Sequence, residues 1–191
     1  MDPREFLNVM RVAERLKDAT RHCYTSQRRH ESVAEHSWRM ALMAFLLKEK
    51  FPEADMDKVI RMCLIHDLGE AFTGDIPTFL KTKQDEETEE ELLDTWINSL
   101  HGACREEMKA LFAEMEERQT LEAQIYKALD GLEALIQHNE SPLDTWIERE
   151  YALNLTYAED RVGFSEYLTE LRREIKADTV AKIAQEKPYS C

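Results

Sequence analysis

A histidine followed at once by an aspartate, His66-Asp67, closes a stretch carrying Ile60, Met62, Leu64 and Ile65. Ionisable groups at the end of an apolar helix need a partner, whether metal, ion pair or water. His36 stands thirty residues upstream within Val33-Ala34-Glu35-His36-Ser37. Asp130 stands sixty-three residues beyond Asp67 and is followed by Gly131, which admits close approach of another backbone or a ligand. Each residue alone is commonplace: a lone histidine on a partly apolar helix is usually a hydrogen-bonded core residue, and a mid-helix aspartate a surface one. Together, two imidazoles and two carboxylates from three separate helices can form a mixed nitrogen and oxygen site inside a bundle. With no thiolate among them, such ligands suit cobalt, manganese, iron, zinc or magnesium rather than a structural zinc finger.

The elements that must hold these residues read as helices. Five glycines and five prolines in 191 residues are few, and no alternating Val/Ile/Thr run occurs, so the expected fold class is all-α. Residues 4–18 read as a first amphipathic helix through Phe6, Leu7, Met10, Ala13 and Leu16. The polar stretch Thr20 to Glu31, with Arg21, Arg28 and Arg29, breaks the pattern. Ser32-Val33-Ala34-Glu35 has the form of a capping box and opens a second helix reaching about Lys50; Asp55 can cap a third. Gly69, Gly74 and Pro77 fall within nine residues of a chain poor in such breakers, marking a place where backbone shape matters. Seven acids in the ten residues 85–94 read as a solvated helix start favoured by the helix dipole. Helices follow over roughly 87–100, 103–118, 120–138, 143–159 and 164–186. One domain over 1–191 is expected, with a core over about 6–140 and C-terminal helices 143–186 packed on it.

Composition limits the partners. At 43% hydrophobic residues the chain can bury a sizeable core. A formal charge of −14 disfavours nucleic acids and anionic membranes, whose binding rests on basic side chains. A small phosphorylated molecule stays open if arginines cluster locally. Cys23, Cys63, Cys104 and Cys191 form no CxxC pair and read as reduced thiols, so a cytoplasmic setting is expected, with no leader or membrane span.

Three segments carry a more specific signal. Arg29-His30-Glu31-Ser32-Val33-Ala34-Glu35-His36-Ser37 is the first. The second is His66-Asp67-Leu68-Gly69-Glu70 with Thr73-Gly74-Asp75-Ile76-Pro77-Thr78, and the third is Lys127-Ala128-Leu129-Asp130. In these the chain resembles the HD-domain metal-dependent phosphohydrolases, and within them the bacterial 5'-deoxynucleotidases and relatives. The resemblance implies a single HD-domain helical bundle with the metal site between helices. It implies one divalent ion on His36, His66, Asp67 and Asp130, and a nucleoside 5'-monophosphate as substrate. When bound, such an ion polarises phosphorus, orients the substrate and lowers the pKa of the attacking water. By the same resemblance Glu70 handles a proton and Asp75 is a second acid bordering the site. Asp75 also has a plainer reading as a turn residue before Pro77. Arg21 matches the phosphate-contacting arginine, Lys81 a position able to support the phosphate or sit at the rim, and Arg29 either a ligand contact or a structural ion pair. A homodimer is implied as well, for which helices around Trp146 can supply a surface if Trp146 is not simply core.

One departure bears on specificity. The deoxynucleotidases are similar to one another in a tryptophan that crowds the ribose 2'-hydroxyl, and this chain has His22 there. Histidine is smaller and can hydrogen-bond, so monophosphatase activity is expected with the ribo/deoxy choice open. Rival readings are another small phosphate ester or a nucleoside triphosphate, for which Arg21, Arg28 and Arg29 offer few cations, and a non-catalytic nucleotide-binding protein. A di-iron oxygenase would need further histidines, and only His101 and His138 follow His66.

Overall fold

Residues 1–186 are described by the computed structural model; Cys191 lies outside them. Ser32 starts the helix that carries His36. Its side chain accepts from the Glu35 amide (3.3 Å) and Glu35 Oε2 accepts from the Ser32 amide (2.9 Å), a complete capping box. The chain runs as α1 (Pro3–Glu14), β1 (Thr20–Tyr24), β2 (His30–Ser32), α2 (Val33–Leu46), α3 (Met56–Ile65) and α4 (Glu70–Thr73). It continues as α5 (Lys83–Ser99), α6 (Gly102–Glu117), α7 (Leu121–Glu140), α8 (Glu148–Thr156) and α9 (Glu166–Glu186), with short 3-10 turns between. The all-α class holds.

The core forms where α2, α3 and α7 pack on one another, and α9 covers the far side of α7. Met40, Met62, Ile125, Leu129 and Leu132 are fully buried there. Each such side chain contributes about 1.5–3 kcal/mol of burial. A smaller cluster of Leu16, Val33, Leu68 and Ala71 seats the His66–Gly69 turn. Asp55 and Thr120 cap α3 and α7 by accepting from the Lys58 amide (3.0 Å) and the Ala123 amide (3.2 Å).

The polar stretch after α1 is an antiparallel hairpin, with Thr20 opposite Ser32 and Tyr24 opposite His30. Its turn is closed by Thr25 N donating to Arg29 O (2.8 Å) and uses Arg28 at φ 63°. Because no Asn-Gly or similar pair stands at that turn, the usual hairpin signal is missing. Gln137 Nε2 donates to Tyr24 O (2.7 Å), fixing the hairpin to α7. Helix α5 starts at Lys83, earlier than residue 87, because Thr82 and Asp85 form a capping box of their own. Trp146 is core: it is buried, and its Nε1 donates to His138 O (3.1 Å) and Ser141 Oγ (2.9 Å), so it is not a dimer surface.

Candidate metal centre and phosphate cleft

Three helices and a turn bring the imidazoles and acids together. His36 lies on the first turn of α2 and is fully buried; His66 follows α3, its side chain 3% exposed. Asp67 occupies the next turn, and Asp130 comes from the middle of α7. His66 Nε2 lies 3.0 Å from Asp67 Oδ2, and His36 Nε2 lies 3.4 Å from Asp130 Oδ1 and 3.9 Å from Asp67 Oδ2.

The tautomers follow from what lies behind the rings. His66 Nδ1 is 2.9 Å from the Cys63 carbonyl, which only accepts, so Nδ1 carries the hydrogen and Nε2 the lone pair. His36 Nδ1 contacts the buried Glu133 carboxylate in the same sense, and Arg39 Nε holds Glu133 from its other side (2.6 Å). Neither Nε2 has a hydrogen-bond partner within the protein, and Glu70 Oε2 and Asp75 Oδ2 are also buried without one. Imidazole lone pairs aimed among carboxylates are costly by themselves and satisfied by a cation. The donor set therefore fits a divalent ion, and His36, His66 and Asp67 place one ligand atom each within 4.8 Å of the others.

Electrostatics agree. Burial and Arg21 oppose a charge on His36, but Glu133 and Asp130 outweigh them and lift it to about 9. A cation at Nε2 displaces that proton. Burial raises Asp67, yet His66 and then His36 prevail and hold it at about 2. Glu70 is pushed up to about 10, by burial first and then by the charges of Asp67 and Asp75, with Arg21 opposing. Burial likewise raises Asp75.

Arg21, His22, Asp67, Glu70, Asp75, Lys81 and Asp130 line one cleft of about 170 Å³. Gly74, at φ 77°, makes the turn that sets Asp75 there, and helix geometry breaks at His66–Gly69, so Glu70 reaches the cleft from a new short helix rather than from a continuing one. Arg21 Nη1 is 4.0 Å from Asp67 Oδ2 and its Nε is 3.2 Å from Glu31 Oε2. Lys81 is paired with Glu89 (2.8 Å), one of the acids read as merely solvated. Arg29 forms a two-pronged ion pair with Glu35, and Arg28 turns to Asp144 (3.1 Å), so neither lines the cleft.

The further cations of the cleft are Lys127, which opens the third motif, and Arg161, which no motif marks. Lys127 Nζ sits 2.7 Å from Asp130 Oδ2, and Arg161 Nη1 3.8 Å from the same oxygen. Gly131 explains how Arg161 arrives: a Cβ there would lie 2.6 Å from Ala158 Cβ and 3.2 Å from Arg161 Nη1. The close approach expected of Gly131 is thus made by the Ala158–Arg161 turn. Glu133 was missed too, although it follows Asp130 by three residues and so shares its helix face. Its removal has a definite expected result. Glu133→Gln weakens metal affinity about 10- to 100-fold, read by titrating metal-stripped protein.

The HD-domain family matches residues 13–172. The chain belongs to the HD-domain family. The human 5'-deoxynucleotidase HDDC2 is 32% identical over 141 residues, 72% of this chain and 68% of that protein. The protein of the same name from Dictyostelium discoideum is 35% identical over 58% of this chain and 62% of its own length. Among solved structures, a predicted metal-dependent phosphohydrolase from Magnetospirillum magnetotacticum MS-1 is 30% identical with a TM-score of 0.78, covering 93% of this chain and 95% of that one. The HD-domain match takes in every residue singled out above, from Arg21 to Arg161.

Proposed function

We propose that this chain is a metal-dependent nucleoside 5'-monophosphate phosphatase, acting on deoxyribonucleotides, with one divalent ion held by His36, His66, Asp67 and Asp130. The observation that carries the reading is the pair of buried imidazoles, each backed at Nδ1 by an oxygen and facing carboxylates with an unpartnered Nε2. Similarity to proteins named 5'-deoxynucleotidases supports the substrate class. The ion, when bound, supplies a Lewis acid for phosphorus and a lowered pKa for the attacking water. Its identity among cobalt, manganese, iron, zinc and magnesium is set by affinity and supply, since this donor set accepts them all.

The chain's own groups do the rest. The Arg21 guanidinium binds the phosphate oxygens and balances charge that builds on them. Asp75 accepts the proton of the attacking water. Glu70 is the donor: burial favours its protonated form, and it gives that proton to the leaving 5'-oxygen as the P–O bond breaks. The products are a nucleoside and inorganic phosphate. Lys81, tied to Glu89, supports the rim, and His22 lines the sugar side of the cleft.

A second reading, a nucleoside triphosphate as substrate, gains from Lys127 and Arg161, which add cations beyond Arg21. A panel of nucleoside mono- and triphosphates in both sugar series separates the two. Monophosphatase action releases inorganic phosphate from monophosphates; inorganic triphosphate released from triphosphates alone would overturn it.

The chain is read as one domain over 1–191, acting in the cytoplasm. Among the described residues Cys23, Cys63 and Cys104 pair with no other cysteine, which supports a reducing setting, and no helix is long and apolar enough to cross a membrane. The charge of −14 favours a small ligand over nucleic acid. A homodimer is supported by α2, where Trp38, Leu42, Phe45 and Leu46 form one exposed apolar stripe at helical spacing. A second copy of the chain covers it. Phe45→Glu is expected to turn a dimer into a monomer by light scattering; an unchanged mass would place the interface elsewhere.

A further inference from the structure

We propose a second cation site, formed by His22, His138 and Glu150, that takes zinc or a similar borderline metal. It shares no ligand with the first centre and does not depend on what that centre hydrolyses. The three residues come from separate elements: His22 from β1, His138 from the last turn of α7, and Glu150 from the first turn of α8. Glu150 Oε1 lies 3.0 Å from His22 Nε2 and 3.8 Å from His138 Nε2, and one ligand atom from each residue lies within 4.8 Å of the others.

The ligands are held in place by what surrounds them. Glu150 Oε2 accepts from the Ile147 amide (2.8 Å), which leaves Oε1 toward the two rings. His138 packs edge-on against Trp146 (5.7 Å, 84°), whose Nε1 also bonds the His138 carbonyl, and His22 packs edge-on against Phe79 (5.4 Å, 84°). His138 and Glu150 are buried, while the His22 side chain is 30% exposed, so any opening is on the side of the cleft. A cavity of about 60 Å³ adjoins His22 and His138. Asn154, 2% exposed, also lines it, and its Nδ2 has no partner in the protein.

Two imidazoles and one carboxylate match the three-ligand zinc sites that keep a position for water or substrate, and are a poor set for calcium or magnesium, which favour oxygen. Arg21 is the residue before His22 on β1. An ion here would tie that strand to α7 and α8, and so hold the phosphate-binding arginine against the rest of the cleft.

The test counts zinc. Metal-stripped full-length protein is loaded with ZnCl2, freed of excess by gel filtration and analysed by mass spectrometry for metal per chain, with circular dichroism melts confirming folding. Two zinc ions are expected in the unaltered protein, one in His22→Ala, one in Glu150→Gln, one in Asp67→Ala and none in Asp67→Ala/His22→Ala. His22→Ala serves as the variant least prone to misfold, because its side chain borders the cleft. In the Asp67→Ala background zinc should raise the melting temperature, and the rise should vanish with His22→Ala. An unchanged zinc count in both His22→Ala and Glu150→Gln would overturn this site. Zinc lost only with the His22 and Glu150 variants would instead overturn the first centre and leave this one standing.

Discussion

Asp67→Ala is expected to strip the bound cation and to lower phosphate release by about 10³-fold or more. Asp67 lies within reach of both imidazoles, 3.0 Å from His66 Nε2 and 3.9 Å from His36 Nε2. Against burial, His66 and His36 hold its carboxyl low, at about 2, so it offers a negative charge to a cation. Alanine leaves two rings and Asp130, a set one ligand short and one charge poorer. Metal content and phosphate release should fall together. Release lost while the metal is retained would mean that Asp67 serves the reaction without holding the ion.

Glu70→Gln should separate binding from proton transfer. Glutamine keeps the shape but cannot give a proton, so kcat should fall about 10²- to 10⁴-fold with metal content and KM little changed. The same variant has a signature in stability. The folded pKa of Glu70 is raised from 4.5 to about 10, so between those values the folded state of the metal-free protein binds more protons than the unfolded state. Its stability therefore falls as pH rises through that window. Urea melts of metal-free protein across the range should show that decline in the unaltered chain and a flatter profile in Glu70→Gln. A decline identical in both would mean that Glu70 ionises without penalty in the metal-free protein.

Much of this site is legible in the chain because its acids and imidazoles sit in local patterns. His66-Asp67 and Glu70 lie within five residues, and the Ser32 capping box announces the helix of His36. The class of fold followed from the scarcity of breakers and the helical spacing of apolar residues. What stayed hidden depends on contacts between distant segments. Arg161 has no feature of its own that marks it, and reaches Asp130 only because Gly131 lets the Ala158 turn close in. Arg28 and Arg29 stand near Arg21 in the sequence, but the hairpin turns them outward onto Asp144 and Glu35. The hairpin itself lacks a glycine turn, and its strands are too short for alternation to register. His138 belongs to no histidine pattern in the sequence, yet α7 and β1 bring it beside His22. Trp146, apolar and late in the chain, reads as core more readily than as interface, and its indole bonds to His138 and Ser141 place it in the core.

The central claim is that a cation on the His36, His66, Asp67 and Asp130 set drives hydrolysis of a nucleoside 5'-monophosphate. The most direct measurement is phosphate release from a deoxyribonucleoside 5'-monophosphate by metal-stripped protein, before and after Co2+ or Mn2+ is restored. The account predicts no release before, and nucleoside and inorganic phosphate in equal amounts after. Release that survives chelation, or a protein that binds the metal and still yields no phosphate, would contradict it.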